Sequence, residues 1–141
     1  FAFGLTSSFR MGQVLRYRLK PPPPKGRDLM AHMVGPFIDA VRAGLKEAGW
    51  ATREKEREDG GTFLVGVRGG LFQVEDDYQV GRSVDGVAAC GCGANQAIGA
   101  LWAIRKTEMD PRRRLLVALG AAERFSAGVR GPFRLVSTGG R

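Results

Sequence analysis

Histidine is nearly missing from this chain and cysteine is scarce: His32 is the one imidazole, and the two thiols sit two residues apart in Cys90-Gly91-Cys92. A Cys/His zinc site cannot be filled from that set, and no metal site is expected. No triad can be assembled around a single histidine whose helix offers it two methionine neighbours rather than an acid and a nucleophile. Two cysteines this close cannot staple distant parts of a fold, which fits a reducing cytoplasm. Long apolar runs are missing too. Nothing approaches the ~20 residues of a membrane helix, so no membrane partner is expected. The opening Phe1-Ala2-Phe3-Gly4 lacks the basic region and cleavage site of a signal peptide, and the expected location is cytoplasmic. A dinucleotide fingerprint would need Gly where Gln96 stands, and a P-loop would need Gly-Lys-Ser/Thr; with neither pattern met, no cofactor is expected.

What is present is the material of one domain, residues 1–141, with 43% apolar and 26% charged residues, a globular composition. Net charge is +8 and the sequence pI is near 10.3, which brings nucleic acid into consideration. The charge falls in blocks: eight Lys/Arg against three Asp/Glu in residues 1–50, five against eight in 51–100, and nine against three in 101–141. Seventeen of the 22 cations are Arg, yet none interleaves with aromatics as on a base-stacking platform. Basic ends that dock on another subunit suit the pattern better than a nucleic-acid groove. Residue 1 is Phe rather than Met, and Phe1 to Leu5 already has the composition of a buried strand, so the natural protein is expected to begin upstream.

Phe1 to Thr6 suits a short buried strand, after which Ser7 and Ser8 offer caps for a helix through Leu19. Pro21 to Pro24 stop it and favour an extended connector. Asp28 then caps a helix to about Ala48, which Gly35-Pro36 should kink. The sign-alternating run Arg53 to Asp59 reads as a solvated loop or frayed helix end. From Thr62 the period becomes strand-like, with Phe63 to Val67 and Leu71 to Val74 joined by a Gly69-Gly70 turn. Further strands are expected at Tyr78 to Val80, Val87 to Cys90 and Phe133 to Val136. Between the last two lie a helix from Asn95, packing Ile98, Leu101 and Trp102, and a helix begun by Asp110-Pro111 that buries Leu115, Leu116, Leu119 and Ala122. The order predicts α+β layers with helix pairs on a sheet.

The strongest local feature is Ala88 to Ala97, a strand that turns through glycines into a helix. Cys92 at that helix start could be an activated nucleophile, but no histidine is near to serve as its base, and taken alone a tight packing turn is the better reading of these residues. His32 reads as a surface or hydrogen-bonded core residue. Glu75-Asp76-Asp77 reads as an acidic turn in water. Arg112-Arg113-Arg114 places cations in the first turn of a helix against the macrodipole, which points to an acidic partner, a neighbouring subunit or simply a solvated face.

Gly4-Leu5-Thr6-Ser7-Ser8 entering a helix, Thr62 to Gly66, Gly70 to Val74, Cys90 to Leu101 and Ala118 to Ala122 follow one another in the order found in the proteasome β-subunit and bacterial HslV-type peptidase family, which the chain resembles along nearly its whole length. The resemblance implies an N-terminal-nucleophile hydrolase: a four-layer αββα sandwich in stacked rings, in which an exposed N-terminal Thr attacks peptide bonds with its own α-amino group as base and a Lys and an Asp tuning it. Gly4 would then supply a backbone N–H to the oxyanion hole. Thr6, Cys92, Gly93 and Ser126 would border the active site, Cys92 standing where the family has a serine, and Ser126 with Val129 standing where an Asp-x-x-Ser-Gly is expected. The family's nucleophile, Asp and Lys all precede the segment matched by Phe1, so the nucleophile is expected upstream of this chain. Partners implied are further copies in a ring, a peptide or unfolded-protein substrate, and an ATPase. Two alternatives stand beside this: a non-catalytic ring-forming or partner-binding protein of the same fold, and a basic nucleic-acid-binding α+β domain.

Overall fold

The computed structural model describes residues 1–50, 52–54 and 57–137. Strand β1 (Ala2–Leu5) turns at Ser7, which takes φ +69°, into helix α1 (Phe9–Tyr17). The Ser8 hydroxyl caps α1 by accepting from the Arg10 N–H at 3.0 Å, satisfying one of the donors that a helix start leaves orphaned. Pro21 to Pro24 carry neither helix nor strand. Asp28 caps α2 (Leu29–His32), accepting from the Ala31 N–H at 3.0 Å. At Gly35-Pro36, where a kink is expected, residues Met33–Phe37 widen into a π-helical turn that is continuous with α3 (Ile38–Glu47). Proline has no N–H to give and crowds the carbonyl one turn back; a wider turn relieves both.

The run expected as a loop or frayed helix forms instead a two-stranded ladder, β2 (Thr52–Glu54) with β3 (Arg57–Asp59). Its Cα register sets Arg53 opposite Glu58 and Glu54 opposite Arg57. Strands β4 (Phe63–Val67), β5 (Gly70–Val74) and β6 (Val80–Arg82) then join β1 in an antiparallel sheet of order β1-β4-β5-β6. The hairpin turn lies one residue earlier than expected, at Arg68 (φ +47°) and Gly69 (φ +75°). Gly70 is the first residue of β5, and packing asks for glycine there, since a Cβ would stand 2.8 Å from the Phe72 ring.

One face of this sheet, Phe63, Val65, Val67, Phe72 and Val74, is buried against α1 and the α2–α3 rod through Met11, Val14, Phe37, Val41 and Leu45. The Phe1 and Phe3 rings stack on Phe37 at 5.5 and 6.3 Å. Each large side chain fully buried here contributes roughly 1.5–3 kcal/mol, so this layer carries most of the stability. The other face, with Leu64, Gly66, Leu71 and Gln73, is only half covered.

Helices α4 (Ala94–Ala103) and α5 (Pro111–Phe125) pair through a second core of Ala97, Leu101, Ala118 and Ala122. The expected burial of Ile98, Trp102, Leu115 and Leu116 is not reached: these remain 37, 55, 42 and 44% exposed. Alanines let the two helix backbones approach closely, which leaves the longer side chains beside the seam rather than in it. The segments 87–90 and 133–136 form no strand, since neither has a ladder for its N–H and C=O groups among the described residues. The fold is thus mixed α/β, a four-stranded antiparallel sheet with four helices when the α2–α3 rod counts as one. No helix among the described residues is long and apolar enough to cross a membrane.

Candidate functional site

The glycine turn before α4 is where the expected site residues meet. Gly91 takes φ +101°, a backbone state that strains any other residue, and its carbonyl accepts from the Ala94 N–H at 3.1 Å to start the helix. Gly93 has an ordinary φ of −99°, and packing rather than backbone geometry demands glycine: a Cβ would stand 2.7 Å from Val129 Cγ2 and 2.8 Å from Ala122 Cβ. The turn is therefore wedged against the end of α5.

On its other side the turn meets β1. The Cys90 thiol donates to the Gly4 carbonyl with S···O 3.8 Å, and a Cβ on Gly91 would lie 3.3 Å from Thr6 Oγ1. Cys92, exposed, packs its Sγ against Gly128, two residues past Ser126, whose N–H caps the α5 end by donating to the Ala122 carbonyl at 2.9 Å. Gly4, Thr6, Cys92 and Gly93 are thereby gathered around one turn, while Ser126 stands behind it and is reached through Gly128 and Val129. Gly4 itself is exposed, and a Cβ there would meet Leu64 only at an ordinary 3.5 Å. Packing does not require glycine at that position.

Burial pushes the Cys90 thiol above its ordinary pKa, the negative charge of Glu75 adds to the effect, and a backbone hydrogen bond at Leu64 partly offsets both. Cys90 is therefore a protonated thiol at neutral pH rather than a nucleophile. Glu75, read from sequence as part of a solvated turn, is half-buried: it accepts from Gln73 Nε2 at 2.7 Å and from the Thr62 hydroxyl at 3.4 Å, and the Thr62 N–H donates to Ser7 Oγ at 3.2 Å. The spacing of Gln73 and Glu75, two apart on one strand face, was the available signal. His32 also differs from expectation, being 7% exposed with no partner for Nε2. No group of three or more His, Cys, Asp or Glu that could hold a metal occurs among the described residues.

A cavity of about 650 Å³ opens between the end of β1 and α1, and Thr6 belongs to its wall as well as to the turn. Leu5 and Tyr17 give it apolar surface; Ser7, Ser8, Gln13 and Arg16 give it polar surface. The i, i+4 spacing of Phe9, Gln13 and Tyr17 along α1 hints at that face, but sequence alone does not show that β1 leaves it open. Ser126 lines a different cavity, of about 860 Å³, with Glu123, Arg124 and Arg130.

No protein-family model matches the chain, and no curated protein does. Among solved structures the fold is similar to that of a protein of Thiobacillus denitrificans named BPH, with a TM-score of 0.62 over 93% of this chain and 69% of that one. At 21% identity that likeness speaks for the fold alone.

Proposed function

We propose that this chain is part of a proteasome-like threonine peptidase subunit, hydrolysing peptide bonds with an N-terminal nucleophile carried on a segment upstream of residue 1. The observation that supports this most is the gathering of Gly4, Thr6, Cys92 and Gly93 at one turn, since the family resemblance asks these positions to border an active site although they stand nearly 90 residues apart in the chain. Gly4 would be the oxyanion donor, which accords with a glycine that packing leaves free to vary.

A four-layer αββα sandwich is part of the same reading. The half-covered sheet face of Leu64, Gly66, Leu71 and Gln73, and the exposed Ile98, Trp102, Leu115 and Leu116 of the α4–α5 pair, are two apolar surfaces of the kind that a further layer of strands covers. Upstream strands would supply it, and copies of the subunit would close into rings. The second reading, a non-catalytic ring-forming protein of the same fold, draws on Arg112 and Arg113. Neither has an acidic partner among the described residues, and both oppose the α5 dipole unless a neighbouring molecule brings carboxylates.

An intact-mass measurement with N-terminal sequencing separates the two. A processed upstream segment that begins with Thr, Ser or Cys, together with hydrolysis of fluorogenic peptides, supports the peptidase. A mature N-terminus at Phe1 removes it. Sizing by light scattering tests the rings, and a strict monomer counts against both readings.

A further inference from the structure

The cavity between β1 and α1 has a chemistry of its own. Residues 1–27 contain six cations, Arg10, Arg16, Arg18, Lys20, Lys25 and Arg27, and no Asp or Glu; the first carboxylate, Asp28, is occupied in capping α2. Of these cations Arg16 lines the cavity, and no carboxylate belongs to its wall; Glu75 stands behind Ser7, reached through Thr62. The first turn of α1 also lacks an acidic residue, so the positive end of its dipole, at Ser8 on the cavity wall, is uncompensated. Arg16 makes no hydrogen bond or ion pair to any described residue; its guanidinium lies over the Tyr17 ring, Cζ 5.2 Å from the centroid. Stacking of that kind occupies the face of the guanidinium and leaves its N–H edge for a planar acceptor. Ser7 Oγ already accepts from the Thr62 N–H, which leaves its O–H as a donor, and Gln13 adds an amide. The lining thus places hydroxyl donors at the start of α1 and an apolar wall beside them, with Arg16 in the last turn of α1, near Gln13, as the cation for an anionic head.

Resting on the peptidase reading, we infer that this cavity receives the side-chain carboxylate of a Glu or Asp in an extended peptide, and that Arg16 selects it. Thr6 is common to the cavity and to the Cys90–Gly93 turn, so an occupant of the cavity lies beside that turn. The preference is for a carboxylate on a peptide side chain, and it weakens with added salt because Arg16 is exposed.

The intact protein would be titrated calorimetrically with acetylated, amidated Ala-Glu-Ala, Ala-Gln-Ala and Ala-Lys-Ala, and with Ala-Gln-Ala as the free acid. Ala-Glu-Ala is expected to bind on the order of tenfold more tightly than Ala-Gln-Ala, as a charge-assisted hydrogen bond allows. That ratio should fall to near one in Arg16→Gln and favour Ala-Lys-Ala in Arg16→Glu, with unchanged circular dichroism. Equal binding of the Glu and Gln peptides, absence of binding by both, a preference that survives Arg16→Gln, or tight binding of the free acid alone overturns the inference. Carboxylate-selective binding in a protein that hydrolyses no peptide retires the peptidase reading and leaves the cavity assignment standing. Hydrolysis without Glu preference does the reverse.

Discussion

Gly93→Ala tests whether the turn before α4 is held by packing, as the geometry states. The added Cβ would lie 2.7 Å from Val129 Cγ2 and 2.8 Å from Ala122 Cβ, both closer than real Cβ contacts run. Ala122 is on the α5 backbone and cannot swing aside; Val129 is half-buried and can turn its Cγ2 away. No backbone strain enters, because φ at Gly93 is −99°. The cost is therefore that of overpacking, about 1–3 kcal/mol, which for a domain of this length lowers Tm by roughly 3–10 °C. Gly99→Ala, six residues on and inside α4, is the control: nothing lies within 4 Å of the Cβ it would gain, and removing a helical glycine should stabilise by about 0.5–1 kcal/mol. Denaturant unfolding of both variants, with Gly93→Ala repeated in a Val129→Ala background, reads the difference. Val129→Ala should recover part of the loss, because it removes the nearer of the two clashing atoms. If Gly93→Ala is as stable as the parent, the wedge between the turn and α5 is wrong, and with it the packing of Cys92 against the segment after α5 that carries Ser126.

Gly4→Val has room in β1, so Tm should stay within a few degrees of the parent; the backbone N–H is kept, but a peptidase activity that uses it should be lost because the added side chain stands where substrate must approach, and normal turnover would refute the oxyanion assignment. Iodoacetamide at neutral pH should modify exposed Cys92 before half-buried Cys90. In Glu75→Gln the Cys90 rate should rise, because loss of a negative charge lets the thiolate form at lower pH; peptide mass mapping reads both, and an unchanged Cys90 rate would remove Glu75 from its surroundings. Asp110→Ala deletes the cap that accepts from the Arg113 N–H at 3.0 Å and should cost about 1 kcal/mol, measured by thermal unfolding. A Tm equal to the parent would mean that α5 is fixed by its packing on α4 alone.

Much of the local structure was legible in the residues. Ser8, Asp28 and Asp110 mark three helix starts, because a short polar side chain before an apolar run has one dominant use there. Alternation in Phe63 to Val67 and in Phe72 to Val74 fixes which side of the sheet is buried, since a period of two admits only one register for a one-faced core. Cys90 to Gly93 stood out for the same kind of reason: glycines clustered after an extended run and before a helix mark a tight turn, because glycine takes a positive φ without strain, as Gly91 does, and allows the close approach that Gly93 needs.

The rest was decided by what each segment meets in space. Sequence assigns Leu115 and Leu116 to a core because leucine is apolar, but alanines at 97, 118 and 122 set how near the two helices come, and that spacing leaves the leucines outside. Glu75 reads as solvated until β5 brings Gln73 beside it and Thr62 beneath it. Gly4 and Gly93 are the same letter, yet one has space for a side chain and the other has none. The open cavity at Arg16 likewise depends on where β1 ends relative to α1. Local periodicity and capping are properties of neighbouring residues and are written in order along the chain. Which surfaces close on one another, and which stay open for a ligand, depends on contacts between residues far apart in it, and only the tertiary structure supplies those.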